Sequence, residues 1–255
     1  SQQYNIEWIT LVYVVLCMVF ARSAAMAFNR YIDRDVDKAN ERTAKIREIP
    51  NGTITAKNAL VFVIINSLLF IATTYFINSL CFALSPIALI TILGYSYTKR
   101  FTSLCHLVLG LGLSLAPIGA YLAVSGEFNV IPLLFSVAIL FWVSGFDIIY
   151  SLQDKEFDKA QELHSIPVLI GKKNALILST FLHFLTFSAL SIAGSFGEFG
   201  LYYWIGFWIF SALLIYQHTL VKENDLSKVN LAFFTTNGIA SIIFGTFVIA
   251  DILLK

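Results

Sequence analysis

Apolar residues in this chain come in long, nearly unbroken runs separated by polar joints, not in the two-residue alternation of half-buried strands. A helix needs about 20 mostly apolar residues to cross a bilayer. Eight stretches meet that requirement: 6–28, 58–78, 80–98, 104–124, 130–150, 174–196, 199–220 and 230–254. The joints are alternately very short and long and charged, so the loops 29–57, 98–104, 151–173 and 221–229 fall on one side of a membrane. The pattern predicts an all-α fold, a polytopic transmembrane helical bundle of eight spans. Ser1 opens the chain with no basic leader region, so no leader is subtracted from that count.

Composition agrees with the pattern and narrows the class. The chain has 255 residues, 58% hydrophobic and 13% charged, against about 45–50% and 25% in soluble domains. That excludes a single water-facing globule, a disordered chain and a nucleic-acid binder; the net charge is only +1. Cys17, Cys81 and Cys105 are dispersed in apolar runs and read as helix packing. Placement matters more than number. Of the 17 Lys and Arg, 15 lie in the long loops, the others being Arg22 within the first span and Lys255. By the positive-inside rule those loops are cytoplasmic, as in an integral protein of a bacterial-type inner or plasma membrane.

Twelve of the 16 acidic residues lie on the same side or at its membrane edge. Asn29, Asp33 and Asp37 are spaced by four, which puts them on one face if the first helix continues past the membrane. Asp147, Asp154 and Asp158 follow at steps of seven and four. Each loop ends in a Pro-containing turn, Pro50-Asn51-Gly52 and Ser165-Ile166-Pro167, and each next span opens with Lys-Asn-Ala-Leu, at 57–60 and 173–176. This recurrence predicts a parallel duplication within one domain, with halves of about 1–124 and 125–255.

Carboxylates four apart on a helix repel, and cations relieve that repulsion. Hard oxygen ligands of this kind suit Mg²⁺ shared with a substrate's phosphates. The bases Arg34, Lys38, Arg42 and Arg47 beside the first pair, Lys155 beside the second, and Lys99 and Arg100 fit a diphosphate. Three other readings stand beside this one. The charges could be solvated helix faces, the chain could be a secondary transporter, or it could be a non-catalytic lipid-binding scaffold. Transporter sites lie near the midplane between repeats, whereas these aspartates cluster at one mouth.

Taken together, Asn29-x3-Asp33-x3-Asp37-x2-Asn40-x-Arg42-Thr43 with Arg47-x2-Pro50-x-Gly52 resembles the first signature of the UbiA superfamily of intramembrane prenyltransferases. Asp147-x2-Tyr150-x2-Gln153-Asp154-x3-Asp158, followed by Leu163-His164-Ser165-Ile166-Pro167, resembles the second, and Tyr97-x-Lys99-Arg100-x-Thr102 the family's Tyr-x-Lys-Arg segment. The resemblance covers the whole chain and is closest to the 4-hydroxybenzoate polyprenyltransferase branch. It departs at Glu41, where Pro is common, and at Gln161-Glu162, where a Gly often precedes Leu-His-Ser. Members usually have nine helices, which implies one preceding residue 1.

The resemblance implies a Mg²⁺-dependent transfer of a polyprenyl group from polyprenyl diphosphate to an aromatic acceptor. That acceptor would be 4-hydroxybenzoate or, in a menaquinone-type subgroup, a naphthoate. It implies Mg²⁺ on Asp33, Asp37, Asp154 and Asp158, with Asn29 and Asp147 in support. Arg42 and Lys155 would contact the diphosphate. Arg100, with Tyr97 and Lys99, would take the acceptor's carboxylate or the phosphates, and Arg34 would orient the first pair. Arg22, two turns before Asn29, is read as a substrate contact or a structural pair. The partners expected are the two substrates and membrane lipid, with no nucleic acid and no obligate protein. His183 is expected to be a hydrogen-bonded packing residue and His106 and His218 interfacial. His164 lies within the second motif, and Glu7, Glu127, Glu198 and Asp251 are expected to be solvated.

Overall fold

The computed structural model describes residues 7–254; Ile6, where the first predicted span begins, and Lys255 lie outside the described residues. In chain order the helices are α1 (Trp8–Ile32), α2 (Arg34–Ala39), α3 (Glu41–Ala44), α4 (Ala56–Ile77), α5 (Ser79–Thr98) and α6 (Cys105–Ser125). They are followed by α7 (Val130–Ser151), α8 (Lys155–Ala160), α9 (Ile166–Phe196), α10 (Leu201–Leu220) and α11 (Asn237–Leu254). A 3₁₀ turn, Leu152–Asp154, joins α7 to α8, and a π-helical turn, Leu231–Thr236, leads into α11. The architecture is all-α, with no strand among the described residues.

Among the described residues eight helices fall on the eight predicted spans, and seven candidate spans are long and apolar enough to cross a membrane. The exception is α10, where Tyr202, Trp204, Gln217 and His218 dilute the apolar content. The protein is therefore an integral, polytopic membrane protein. Polar residues at the joints start the helices. The side chains of Thr55, Asn78 and Asn129 accept from the backbone N–H groups of Asn58, Cys81 and Ile131 at 3.2, 2.8 and 3.0 Å, satisfying donors that a helix start leaves open.

The chain divides into two compact units: 1–101 with 115–128, and 102–114 with 129–255. In the first unit α1, α4 and α5 pack on one another, with Ala24, Ala59, Val63 and Phe70 buried. In the second, α7 packs on α9 and α10 on α11. A cluster around Ile148, Ile149, Leu152, Ile166 and Leu182 seats the base of the second acidic loop. Gly145 permits the close approach of α7 and α9, because a Cβ there would overlap the His183 ring.

Two boundaries differ from the sequence expectation. The first span does not stop at residue 28 but runs to Ile32. The sixth begins at Ile166, well before 174, and is interrupted at Gly171, whose φ of +80° is a left-handed conformation that suits glycine.

Candidate active site

In the first unit, α1 hands over to α2 with little interruption. Asp33 N–H bonds to Asn29 O at 2.9 Å and Asp37 N–H to Asp33 O at 2.7 Å, so helical bonding runs through the motif and its three polar side chains share a face. Asn29 Nδ2 donates to Asp33 Oδ2 at 2.8 Å. Arg30 Nη1 donates to Asn29 Oδ1 at 3.2 Å and pairs with Glu48 at 3.6 Å. Arg47 Nε lies 3.9 Å from Asp37 Oδ1. Asn40 caps α3 by accepting from Arg42 N–H, and Thr43 Oγ1 donates to Asp37 O at 2.9 Å, folding the chain after the second aspartate back onto it.

Burial, and next the charge of Asp37, push the Asp33 carboxyl up to about 6, against the opposing pull of Lys99, Arg100 and Asn29. Burial also raises Asp37. A pair held at that cost is relieved by a cation.

Arg100 Nη2 donates to Ile32 O at 2.6 Å. Arg34 Nη1 donates to Tyr31 O at 2.7 Å, its guanidinium 4.7 Å from the centre of the Tyr31 ring, and pairs with Asp35 at 3.8 Å. Tyr31, Ile32, Arg34, Asp35, Tyr97 and Arg100 line a pocket of about 240 Å³. Arg22 lies on an exposed position of α1, and Arg42 is exposed beside Asn40.

In the second unit the 3₁₀ turn interrupts the α-helical face expected to run from Asp147 to Asp158. Asp154 closes that turn, Lys155 opens α8 and pairs with Glu156 at 3.8 Å, and Asp158 is fully buried. Gln153 Nε2 and Ser165 Oγ are buried without a hydrogen-bond partner among the described residues, an arrangement left for a ligand or water to complete. Glu162 has a φ of +55°, the left-handed backbone that the glycine usual before Leu-His-Ser adopts freely.

Among the described residues no three or more His, Cys, Asp or Glu side chains converge on one point. Asp33 and Asp37, which interact through their charges, are thus a pair of carboxylates and not a closed cage. The donor set fits Mg²⁺, which keeps waters and shares one or two carboxylates with phosphate oxygens.

The sequence profile of the UbiA prenyltransferase family matches residues 1–239. The chain belongs to the UbiA prenyltransferase family. It is 33% identical over 246 residues to a 4-hydroxybenzoate octaprenyltransferase of Aliivibrio fischeri strain MJ11, covering 93% of this chain and 82% of that one. It is 30% identical over 242 residues to the enzyme of that name from Aeromonas hydrophila, covering 95% and 83%. The apo structure of a UbiA homologue from Aeropyrum pernix K1 superposes with a TM-score of 0.89 at 29% identity, over 98% of this chain and 92% of that one. A UbiA homologue from Archaeoglobus fulgidus, bound to DMAPP and Mg²⁺, shares the fold with a TM-score of 0.71 at 22% identity, over 99% and 91%.

UbiA membership makes the chain an aromatic prenyltransferase and removes the transporter and scaffold readings. Sequence reasoning missed or misplaced three polar residues of this UbiA chain. His106 is not interfacial but buried, its Nδ1 2.6 Å from Asp147 Oδ2. His218 is likewise drawn inward, its Nε2 2.8 Å from His183 Nδ1, while His183 is hydrogen-bonded within the packing as expected. Asp251 is not solvated but 2% exposed, accepting from Gly200 N–H at 2.7 Å and Tyr203 N–H at 3.2 Å at the start of α10.

Proposed function

We propose that this prenyltransferase joins a polyprenyl group to 4-hydroxybenzoate, using Mg²⁺ and a polyprenyl diphosphate, at the cytoplasmic face of a bacterial-type inner membrane. The observation that carries the reading is the Asn29–Asp33–Asp37 face at the end of a membrane helix, both carboxyls raised by burial, Asp33 also by the charge of Asp37, with bases around them. Relatives of about 30% identity carry the 4-hydroxybenzoate name, and 15 of 17 basic residues lie in the loops read as cytoplasmic.

Asp33 and Asp37 in one motif, and Asp154 and Asp158 in the other, would hold Mg²⁺. When bound, Mg²⁺ neutralises negative charge building on the leaving diphosphate. Asn29 fixes the orientation of the Asp33 carboxylate through its hydrogen bond, and Asp147 supports the second motif. Arg42 and Lys155 would bind diphosphate oxygens, with Arg22 and Lys99 as further contacts. The allylic C–O bond breaks, a ring carbon ortho to the phenol attacks the allylic carbon, and the ring loses a proton. Such an electrophile is quenched by water, so the acidic loops must also keep the site dry.

The pocket at Tyr31, Tyr97, Arg34 and Arg100 offers two guanidinium groups and aromatic faces, the chemistry that binds a planar aromatic carboxylate. The test is purified protein in detergent with Mg²⁺, polyprenyl diphosphates of several lengths and a panel of aromatic acids, with prenylated product read by mass spectrometry. Prenylated 4-hydroxybenzoate as the dominant product supports the reading. A naphthoate product redirects it to a menaquinone-type acceptor, and no product with any acceptor overturns it.

A further inference from the structure

The second acidic loop leaves α7 after Ser151, one turn past Asp147, and returns at Ile166, where α9 begins. One side chain from outside the loop touches both flanking helices. His106, on α6 and 3% exposed, has Nδ1 at 2.6 Å from Asp147 Oδ2, and its Nε2 accepts from Ile166 N–H at 3.3 Å. A backbone N–H can only donate, so Nε2 is the acceptor and Nδ1 carries the proton that goes to Asp147. Both ring nitrogens are thereby committed, Nδ1 to the carboxylate and Nε2 to the backbone.

The surroundings fix the ring in turn. Ser144 Oγ, fully buried, donates to His106 O at 3.1 Å, and Cys105 Sγ lies 3.6 Å from His164 O. Ser165 makes no side-chain cap bond, so the His106 ring satisfies a donor that the start of α9 leaves open.

We infer that His106 is a positioning residue that ties the last turn of α7 to the first residue of α9, clamps the 152–165 segment between them, and so sets the geometry of Asp154 and Asp158. The inference rests on the Mg²⁺-holding role proposed above for those two aspartates. His106 touches no substrate in this scheme; it acts through Asp147 and the α9 backbone, as outer partners orient the ligands of a metal.

The experiment uses the whole protein in detergent with His106→Phe, which keeps the ring volume without either bond, and His106→Asn, whose amide can still donate to Asp147. Hydrogen exchange without Mg²⁺ is followed by mass spectrometry. In His106→Phe, peptides within 152–165 exchange about tenfold faster, the loss of one or two net hydrogen bonds, while α10 and α11 peptides keep their wild-type rates. The Mg²⁺ concentration for half-maximal turnover rises about 10- to 100-fold, with turnover recovering at saturating Mg²⁺. His106→Asn recovers most of the Mg²⁺ response.

Unchanged loop exchange and Mg²⁺ response in His106→Phe overturn the clamp. So does a uniform loss of protection through all helices, which marks a general packing residue. Asp154→Asn and Asp158→Asn are run alongside. If they leave the Mg²⁺ response intact, the metal assignment fails by itself, while loop exchange in His106→Phe still decides the clamp.

Discussion

Arg100 Nη2 donates to the carbonyl of Ile32, so the second residue past α5 closes the end of α1 immediately before Asp33. Arg100→Ala removes a charged hydrogen bond from a helix terminus, worth about 1–2 kcal/mol at this exposure, and removes a positive charge that holds the Asp33 carboxyl down. Thermal unfolding in detergent should show the loss. The acid limb of the pH–rate profile should move to higher pH. Arg100→Lys restores the charge, and with it the acid limb, better than it restores stability.

If Asp33 is a Mg²⁺ ligand as proposed, its protonation and metal binding are coupled. Its folded-state pKa of about 6 lies above the ordinary 3.8, so its proton stabilises the metal-free protein below about pH 4, and that contribution is lost as pH rises through 6. Mg²⁺ requires the carboxylate form. The rise in melting temperature on adding Mg²⁺ should therefore be larger at about pH 7.5 than at about pH 5.5. An equal rise at both would argue against Asp33 as a ligand.

Asp37→Ala and Asp154→Ala each remove a carboxylate from one motif. Turnover should fall by about 100-fold or more at every Mg²⁺ concentration, the scale of losing one transition-state contact to developing charge. Either variant retaining Mg²⁺-dependent turnover would take its residue out of the site.

Asp251→Ala leaves the N–H groups of Gly200 and Tyr203 without their acceptor at a buried helix start. The expected cost is about 2–3 kcal/mol, read as a lower melting temperature, with turnover per folded molecule unchanged. Asp251→Asn keeps one acceptor oxygen and loses less.

Glu162→Gly removes a side chain from a backbone with φ +55°. It should stabilise the protein by about 0.5–1 kcal/mol, since Glu162 is exposed and gives up little packing. A lower melting temperature would show that its side chain matters more than its backbone.

Most long helices were legible because membrane solvation writes itself into composition. The stretches 58–78, 80–98, 104–124 and 130–150 fall within two residues of α4 to α7. The first acidic face was legible too, because Asn29, Asp33 and Asp37 lie within one local stretch whose helical bonding continues. What could not be read depends on distant partners. His106 meets Asp147 and Ile166, 41 and 60 residues away, and Asp251 meets Gly200, 51 away. A polar residue near a span end looks interfacial until its partner is known. The 3₁₀ turn at Leu152–Asp154 also shifts a face that spacing alone extends in α-helical phase.

The nearly continuous passage from α1 into α2, broken only at Asp33, has a consequence for the membrane itself. The 25 residues of α1 span about 37 Å at 1.5 Å per residue, longer than the roughly 30 Å hydrocarbon slab. Asp33 caps its end and Asp37 follows one turn later, joined to it by continuing backbone bonds, so the helix works as a ruler, setting the height of the first carboxylate pair above the acyl chains. If those carboxylates hold the metal as proposed, bilayer thickness becomes a variable of the chemistry, through the depth at which a lipid-soluble tail can present its charged head to them.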